Sequence, residues 1–254
     1  MITPHTKPWY DMIAERQQRY FYPWKSKLPE NHGEDSYVTI VKNEMKKSDV
    51  VLDVGCGSGE VTNRLAQYCG KIIGYDRVGT FIEQAKAGRH ENAEFILHDS
   101  KTDEGIRLPG DGPYVDMFIS SKGPLHWIPD AARIAKHGAR ILMLVPYQPV
   151  CFVWNDLLPM DVRCTGNSKS DIIRALQSRL DAAGIKIDDI AYYEVDEQFD
   201  EPEEFFKFIV WGKSDVQYSY TDLEPVIGEI FDRYGRSGIL NVGYGRLIWK
   251  SHIP

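Results

Sequence analysis

Between Val50 and Pro146 the chain alternates short apolar runs with segments whose apolar residues recur every three or four positions. VVLDV (50–54), KIIGYD (71–76), AEFILHD (93–99), VDMFISS (115–121) and ARILMLVP (139–146) are apolar on consecutive positions, the pattern of strands covered on both faces. Between them GEVTNRLAQY, TFIEQAKAG and PDAARIAKHG are each long enough for about two to three helical turns, and Val61, Leu65 and Tyr68 fall at helical spacing. Strands alternating with helices in this way predict a parallel, doubly wound α/β sheet.

After Val145 the rhythm loosens. A stretch rich in Pro, Trp and Cys (146–167) leads into KSDIIRALQSRLDAAGI, where Ile172, Ile173, Leu176 and Leu180 share a helix face and Gly184 ends it. KIDDIAYYEV (186–195) reads as a strand. DEPEEFFKFIVWG opens like a helix, with Asp200 as cap, Pro202 in the first turn and Glu203 and Glu204 near the positive end of the dipole. TDLEPVIGEIFDRYG gives the strongest amphipathic pattern, from Leu223 to Tyr234 with Gly235 as stop, and ILNVGYGRLIWK reads as the last strand. The expectation is a seven-stranded, mostly parallel sheet with a helical cap inserted before the last strand. The first 36 residues are aromatic and basic without a clean period: WY at 9–10, RYFYPW at 19–24. With no repeat and no interdomain linker, the 254 residues predict a single domain. Its parts are an N-terminal arm (1–49), a core (50–146) and a C-terminal half (147–254).

The chemistry lies at VLDVGCGSGEVT (51–62). A buried strand ends at Asp53–Val54, glycines make a sharp turn, and a helix starts near Glu60. Glycine lets the backbone turn tightly and lets a ligand approach without a Cβ in the way. A dinucleotide fingerprint would be G-x-G-x-x-G with pyrophosphate at the helix N-terminus. Here the spacing is G-x-G-x-G, and Glu60 stands where the third glycine would be. Glu60 and Asp53 suit a ligand bearing an ammonium group rather than a pyrophosphate.

DVGCGSG closely resembles the first motif of the class I (Rossmann-like) S-adenosylmethionine-dependent methyltransferases, and further stations follow in order. Tyr75–Asp76 ends the second strand, His98–Asp99–Ser100 ends the third, and VDMFISSKGPLHWIP matches the fourth strand and the segment after it. KHGARILMLVP stands where the family commonly has Lys-Pro-Gly-Gly, with His137 for Pro and Ala139 for one Gly. The resemblance covers about residues 50–146. It implies S-adenosylmethionine as cofactor, held by Asp53, Gly55, Cys56, Gly57 and Gly59 at the glycine turn. It further implies Asp76 and Arg77 at the ribose, Asp99 and Ser100 at the adenine, and Ser120 at the fourth strand's end.

Methyl transfer needs alignment in a dry pocket, and a base only if the acceptor keeps its proton. His126, in GPLHW, is a candidate general base because an ordinary imidazole titrates near neutrality; capping or packing is its other reading. Trp127 fits either the core or the pocket wall. By the resemblance, the lid comes from the arm and the insertion before the last strands, which puts Tyr22, Trp24, Phe205 and Phe208 at the acceptor. Aromatic walls suit an apolar or cationic small molecule. The acidic run from Asp196 to Glu204 reads as a solvated face or as a site for an amine-bearing acceptor.

Net charge is −7 and no Lys/Arg-rich run stands out, so a nucleic-acid partner is disfavoured. No Asp/Asn-Pro-Pro-Tyr/Phe follows the fourth strand, unlike enzymes that methylate base amino groups. The four cysteines form no C-x-x-C pair and no zinc spacing, so free thiols and no metal are expected. No apolar run approaches membrane-spanning length, and a cytoplasmic protein is expected. The reading is transfer of a methyl group to oxygen or nitrogen of a small molecule. The rivals are an RNA or protein methyltransferase and a non-catalytic cofactor- or partner-binding module.

Overall fold

The computed structural model describes residues 2–254. Helices α1 (Lys7–Gln17) and α2 (Glu34–Glu44) precede β1 (Val50–Val54), α3 (Glu60–Ala66), β2 (Lys71–Asp76), α4 (Gly79–Ala87) and β3 (Ala93–Leu97). A small hairpin, β4 (Lys101–Thr102) and β5 (Gly105–Ile106), leads to β6 (Val115–Ser121), α5 (Ala131–Ile134) and β7 (Ala135–Tyr147). Then come α6 (Lys169–Ala183), β8 (Ile187–Phe199), α7 (Pro202–Val210), α8 (Tyr220–Tyr234) and β9 (Leu240–His252).

Seven strands form one sheet in the order β3-β2-β1-β6-β7-β9-β8. The pairs from β3 to β7 are parallel, and β9 alone runs against both its neighbours. The expected seven-stranded, doubly wound sheet is what forms. Strand order reverses between β1 and β6, and the crossovers leaving their carboxyl ends diverge there and open a crevice.

Alternate residues of the central strands feed two cores, as the period of two requires. Val51, Ile72, Met117, Leu142 and Ile248 face Tyr37 and Val41 of α2, Leu65 of α3 and Ile82 of α4. Leu52, Ile73, Phe118, Ile141, Met143 and Trp249 face α5 and the Ile172, Leu176 and Leu180 stripe of α6. A third core joins α7 and α8 to Phe199 and Val242 and to Trp154, Leu158 and Val162 of the 147–167 segment. The insertion before the last strand therefore has an apolar centre of its own.

Three expectations shift. The arm without a clean period contains α1 and α2. In α1, Trp9, Met12 and Ile13 pack on Val78 and Phe81, an apolar set too narrow to stand out among polar neighbours. The helix expected over 129–138 lasts one turn, because Ala135 already pairs with Val115 and β7 has begun. Asp200 does not cap α7: Glu201 holds that position, and Asp200 binds Lys27 at 2.5 Å instead.

Tyr37 joins α2 to β6, which flanks the crevice, and to its neighbour β7. Its buried hydroxyl accepts from Ser120 N at 3.0 Å and donates to Leu142 O at 3.1 Å. Tyr37→Phe leaves two buried backbone groups without that partner and should cost about 1–3 kcal/mol of unfolding free energy by urea denaturation. A variant as stable as the parent would remove this strut from the account.

Candidate active site

The turn after β1 is tied to the end of β2. Gly55 N and Cys56 N both donate to Tyr75 O at 3.0 Å, and Asp76 accepts from Gly57 N at 3.1 Å and Val78 N at 2.9 Å. Gly55, Gly57 and Gly59 have φ of +71°, +53° and +80°, where a side chain is strained. Their surroundings separate their roles. A Cβ on Gly59 would lie 2.8 Å from Ala85 Cβ and the Phe95 ring, whereas one on Gly57 would meet nothing within 4 Å. Gly59 is thus required by packing against α4 and β3 and does not line the cleft, contrary to its expected place at the cofactor. Gly57 presents bare backbone to open space.

That space is a cleft of about 780 Å³, within the size range of small-molecule sites. Asp53, Gly55, Cys56, Gly57, Asp76, Arg77, Asp99, Ser100 and His126 all border it. Asp53 accepts from Thr62 Oγ1 at 2.6 Å, and burial pushes its carboxyl up to about 7. A cation arriving beside it would restore the ionised form. Burial likewise raises the Cys56 thiol well above its ordinary range, so it offers no thiolate.

At the β3 end, Ser100 Oγ lies 2.9 Å from His126 Nε2. Burial lowers the His126 imidazole to about 4, reinforced by Lys101, Arg77 and Arg179 around it. It is neutral at physiological pH, and the premise of a base titrating near neutrality is lost. Arg179 enters the cleft from α6 and, among the described residues, bonds only its own helix, at Ala175 O.

The arm crosses the glycine turn. Tyr20 N donates to Ser58 Oγ at 3.3 Å, Arg77 donates to His5 O at 3.0 Å, and the Arg77 guanidinium lies 5.2 Å from the Tyr10 ring centre. His5, Tyr10 and Tyr20 form cleft wall, whereas Tyr22 and Trp24 stack on each other at 4.8 Å and pack against Trp211 behind it. Nor do the other residues expected at the acceptor reach it. Trp127 is fully buried, stacked on Phe118, and Phe205 and Phe208 fill the core of the cap. Ser120 is also fully buried, its Oγ donating to Val54 O at 2.6 Å; Ser121, the next residue, lines the cleft.

The acidic run has a structural task. Glu197 Oε1 accepts from Trp24 Nε1 at 2.8 Å and Ser26 Oγ at 2.6 Å, Glu204 accepts from Lys25 N at 2.6 Å, and Lys27 exchanges backbone bonds with Gln198. It anchors the arm, and the idea of an amine-acceptor site there gives way to that of a latch.

Sequence reasoning passed over the residues on the far side of the cleft: Glu34 of α2, Lys122 after β6, and Asn167, Ile172 and Arg179 around α6. Lys122 carried one local signal, a charged residue within an apolar and glycine-rich segment. Glu34 carried none, because α2 was not foreseen. Lys122 Nζ lies 3.2 Å from Glu34 Oε2. Glu34 Oε1 also accepts from Tyr244 OH at 2.7 Å and Arg246 Nη2 at 3.0 Å. The cations outweigh burial and hold the Glu34 carboxyl down at about 2.

Comparison with known proteins agrees with this layout. Residues 51–143 match the family model described as a methyltransferase domain. A Dictyostelium discoideum protein described as a methyltransferase is 32% identical over 96 residues, 38% of this chain and 34% of that relative. The chain thus spans about a third of that curated relative's length. A solved structure from Deinococcus radiodurans R1, of unknown function, superposes with a TM-score of 0.70 at 18% identity, covering 98% of this chain and 100% of the other. YcgJ of Bacillus subtilis superposes with a TM-score of 0.59 at 17% identity, covering 86% and 98%. The matched stretch runs from β1 into β7 and so builds both the glycine turn and the crevice: this part of the chain is similar to a methyltransferase domain, in keeping with the resemblance to class I S-adenosylmethionine-dependent methyltransferases.

Proposed function

We propose that this chain methylates a small molecule, at oxygen or nitrogen, with S-adenosylmethionine as donor. The observation that carries the reading is the cleft itself. It runs from the bare backbone of Gly57, beneath His5, Tyr10 and Tyr20 of the arm, to Lys122 and α6. A site roofed by the protein's own chain suits a small acceptor that can be enclosed and kept from water. The net charge of −7 weighs against a polyanionic one.

The residues present fit the cofactor. The unobstructed space at Gly57 and the buried Asp53 carboxyl would receive its amino-acid end, Asp76 the ribose hydroxyls, and Asp99 with Ser100 the adenine. S-adenosylmethionine, when bound, supplies an electrophilic methyl group on a sulfonium. The chain's own contribution is to orient donor and acceptor, exclude water with the arm, and place carboxylates near positive charge. His126, unprotonated and with Nε2 engaged by Ser100 Oγ, then serves as cleft wall and is at most a weak proton acceptor. The whole chain works as one unit in this reading, and free thiols at all four cysteines accord with a cytoplasmic setting. Among the described residues, no helix is long and apolar enough to cross a membrane.

S-adenosylmethionine and S-adenosylhomocysteine should raise Tm, by an amount equivalent to about 2.7 kcal/mol at a hundredfold excess over Kd, while NAD and ATP should not. Gly57→Val should abolish the shift, because its side chain enters the cleft, at the cost only of its left-handed backbone strain. Gly59→Val should lower the Tm of the free protein further, since the same strain is joined by collision with Ala85 and Phe95. Stabilisation by NAD alone contradicts the cofactor reading.

The Asp53 carboxyl makes cofactor binding pH-dependent. With a folded-state value of about 7, above that of an unfolded aspartate, the group lowers the stability of the free protein as pH rises from about 4 through about 7. A bound ammonium reverses that preference, so binding releases a proton below neutrality. Affinity should therefore climb, by up to about tenfold per pH unit, from pH 5 to pH 7 and level off above. Calorimetry in buffers of different ionisation enthalpy reads the proton release directly. Asp53→Asn should flatten the profile, and a flat profile in the parent would remove Asp53 from the ammonium site.

The acceptor class is tested by methyl-labelled cofactor with a whole-cell extract divided into small molecules, RNA and protein. Label is expected in the small-molecule fraction. Label confined to RNA or protein favours the macromolecular alternative. Tight cofactor binding with no label anywhere favours a non-catalytic module.

A further inference from the structure

Lys122 is placed with unusual constraint for a lysine beside a cleft. It follows β6 directly with a left-handed φ of +63°, a strained setting for a residue with a side chain, and its own N–H donates to Leu144 O at 2.8 Å. Its side chain is 22% exposed, so the ammonium is held rather than waving in water. Glu34 of α2 grips it from one side at 3.2 and 3.3 Å, and the Tyr22 ring of the arm covers it at 5.1 Å. Glu34 is in turn fixed by β9 through Tyr244 and Arg246, the guanidinium lying 3.6 Å from the Tyr244 ring centre. Four elements thus converge to aim one ammonium along the cleft wall.

The charges in this cluster do not cancel. Lys122 and the buried Arg246 share the single carboxylate of Glu34. Asp35 is turned to His32 and Arg64, and Glu197 to the neutral donors of Trp24 and Ser26. Within the Glu34 cluster two cations therefore share one carboxylate, and Lys122, which borders the cleft, keeps capacity for a second anion there. A monovalent anion beside Lys122 completes the cluster, and a compact ammonium binds a carboxylate as a point charge.

Resting on the methyltransferase reading above, we infer that Lys122 is a specificity-determining residue that pairs with a carboxylate of the acceptor, Glu34 being the positioning residue that aims it. The carboxylate is a handle and not the methylated atom, because pairing with the ammonium withdraws its electrons and makes it a poorer nucleophile. The negative charge therefore stays on the product.

The test uses the full chain, methyl-labelled S-adenosylmethionine and the size-filtered metabolite extract, with labelled products separated on an anion exchanger at neutral pH. The expected label is retained by the exchanger and insensitive to phosphatase. Lys122→Met should raise the acceptor KM by roughly tenfold to a hundredfold, the loss of one charge-assisted bond, with a smaller change in kcat. Lys122→Arg should recover part of that loss. Calorimetric affinity for S-adenosylhomocysteine reports that each variant is folded. Labelled products that all pass the exchanger unretained overturn the inference without any variant, while leaving methyl transfer itself intact. So does a phosphatase-sensitive product, or a KM loss in Arg179→Gln with none in Lys122→Met, which would move the anion site to α6. No labelled small molecule at all, with cofactor still bound, defeats the small-molecule reading and this inference with it.

Discussion

The site depends on Asp76, whose carboxylate holds the glycine turn open. Its two oxygens accept from Gly57 N and Val78 N, so one side chain fixes both the loop leaving β1 and the loop leaving β2. Burial raises its pKa, but the backbone donors pull the other way and favour the charged form. The left-handed glycines can be held in a single conformation because this anchor and Tyr75 O over-determine them. A ribose placed there would add its hydroxyls to lone pairs the carboxylate still has free, since an ionised carboxylate accepts at about four positions.

Asp53 and Asp76 illustrate how two acids beside one turn come to differ. Asp76 collects backbone N–H groups, whereas Asp53 has the Thr62 hydroxyl and otherwise burial. Without a ligand the second acid leans towards its neutral state. In the proposed reading, a cationic ligand would draw that acid to its ionised form, whereas a phosphate would press it further towards the neutral one.

The fold was legible between residues 50 and 146, where continuous apolar runs leave a buried parallel strand little alternative. The placement of the glycine turn, Asp76 and Asp99 around one cleft was legible too, since they sit at strand ends that chain order brings together. The acceptor side was not. Phe205 and Phe208 look like pocket residues in sequence, but a cap of two helices needs a core of its own, and the largest apolar side chains go there first. Tyr22 and Trp24 are displaced for a related reason: Trp24 is drawn to Glu197, and Tyr22 stacks on it. What remains for the cleft is a set of charged and small residues from α2, the β6 end and α6, separated by more than a hundred positions and joined by no period.

The Glu34 cluster shows why such residues are hard to foresee and why they matter. Desolvating two cations and a carboxylate is costly, and replacing such groups by apolar ones often leaves a protein no less stable. Stability alone therefore gives no reason to keep Lys122 in a strained backbone and Arg246 at 5% exposure. Geometry does. Each member limits the rotamers of the next, from the β9 strand through Glu34 to the ammonium, so a flexible four-carbon side chain ends at a defined place. The arm completes the arrangement with the Tyr22 ring, and the arm is itself held by Glu197 and Glu204 at the far end of the sheet. The arm that roofs the glycine turn with Tyr10 and Tyr20 is thus also the arm that lays the Tyr22 ring over the ammonium, and the acidic latch fixes it in that place.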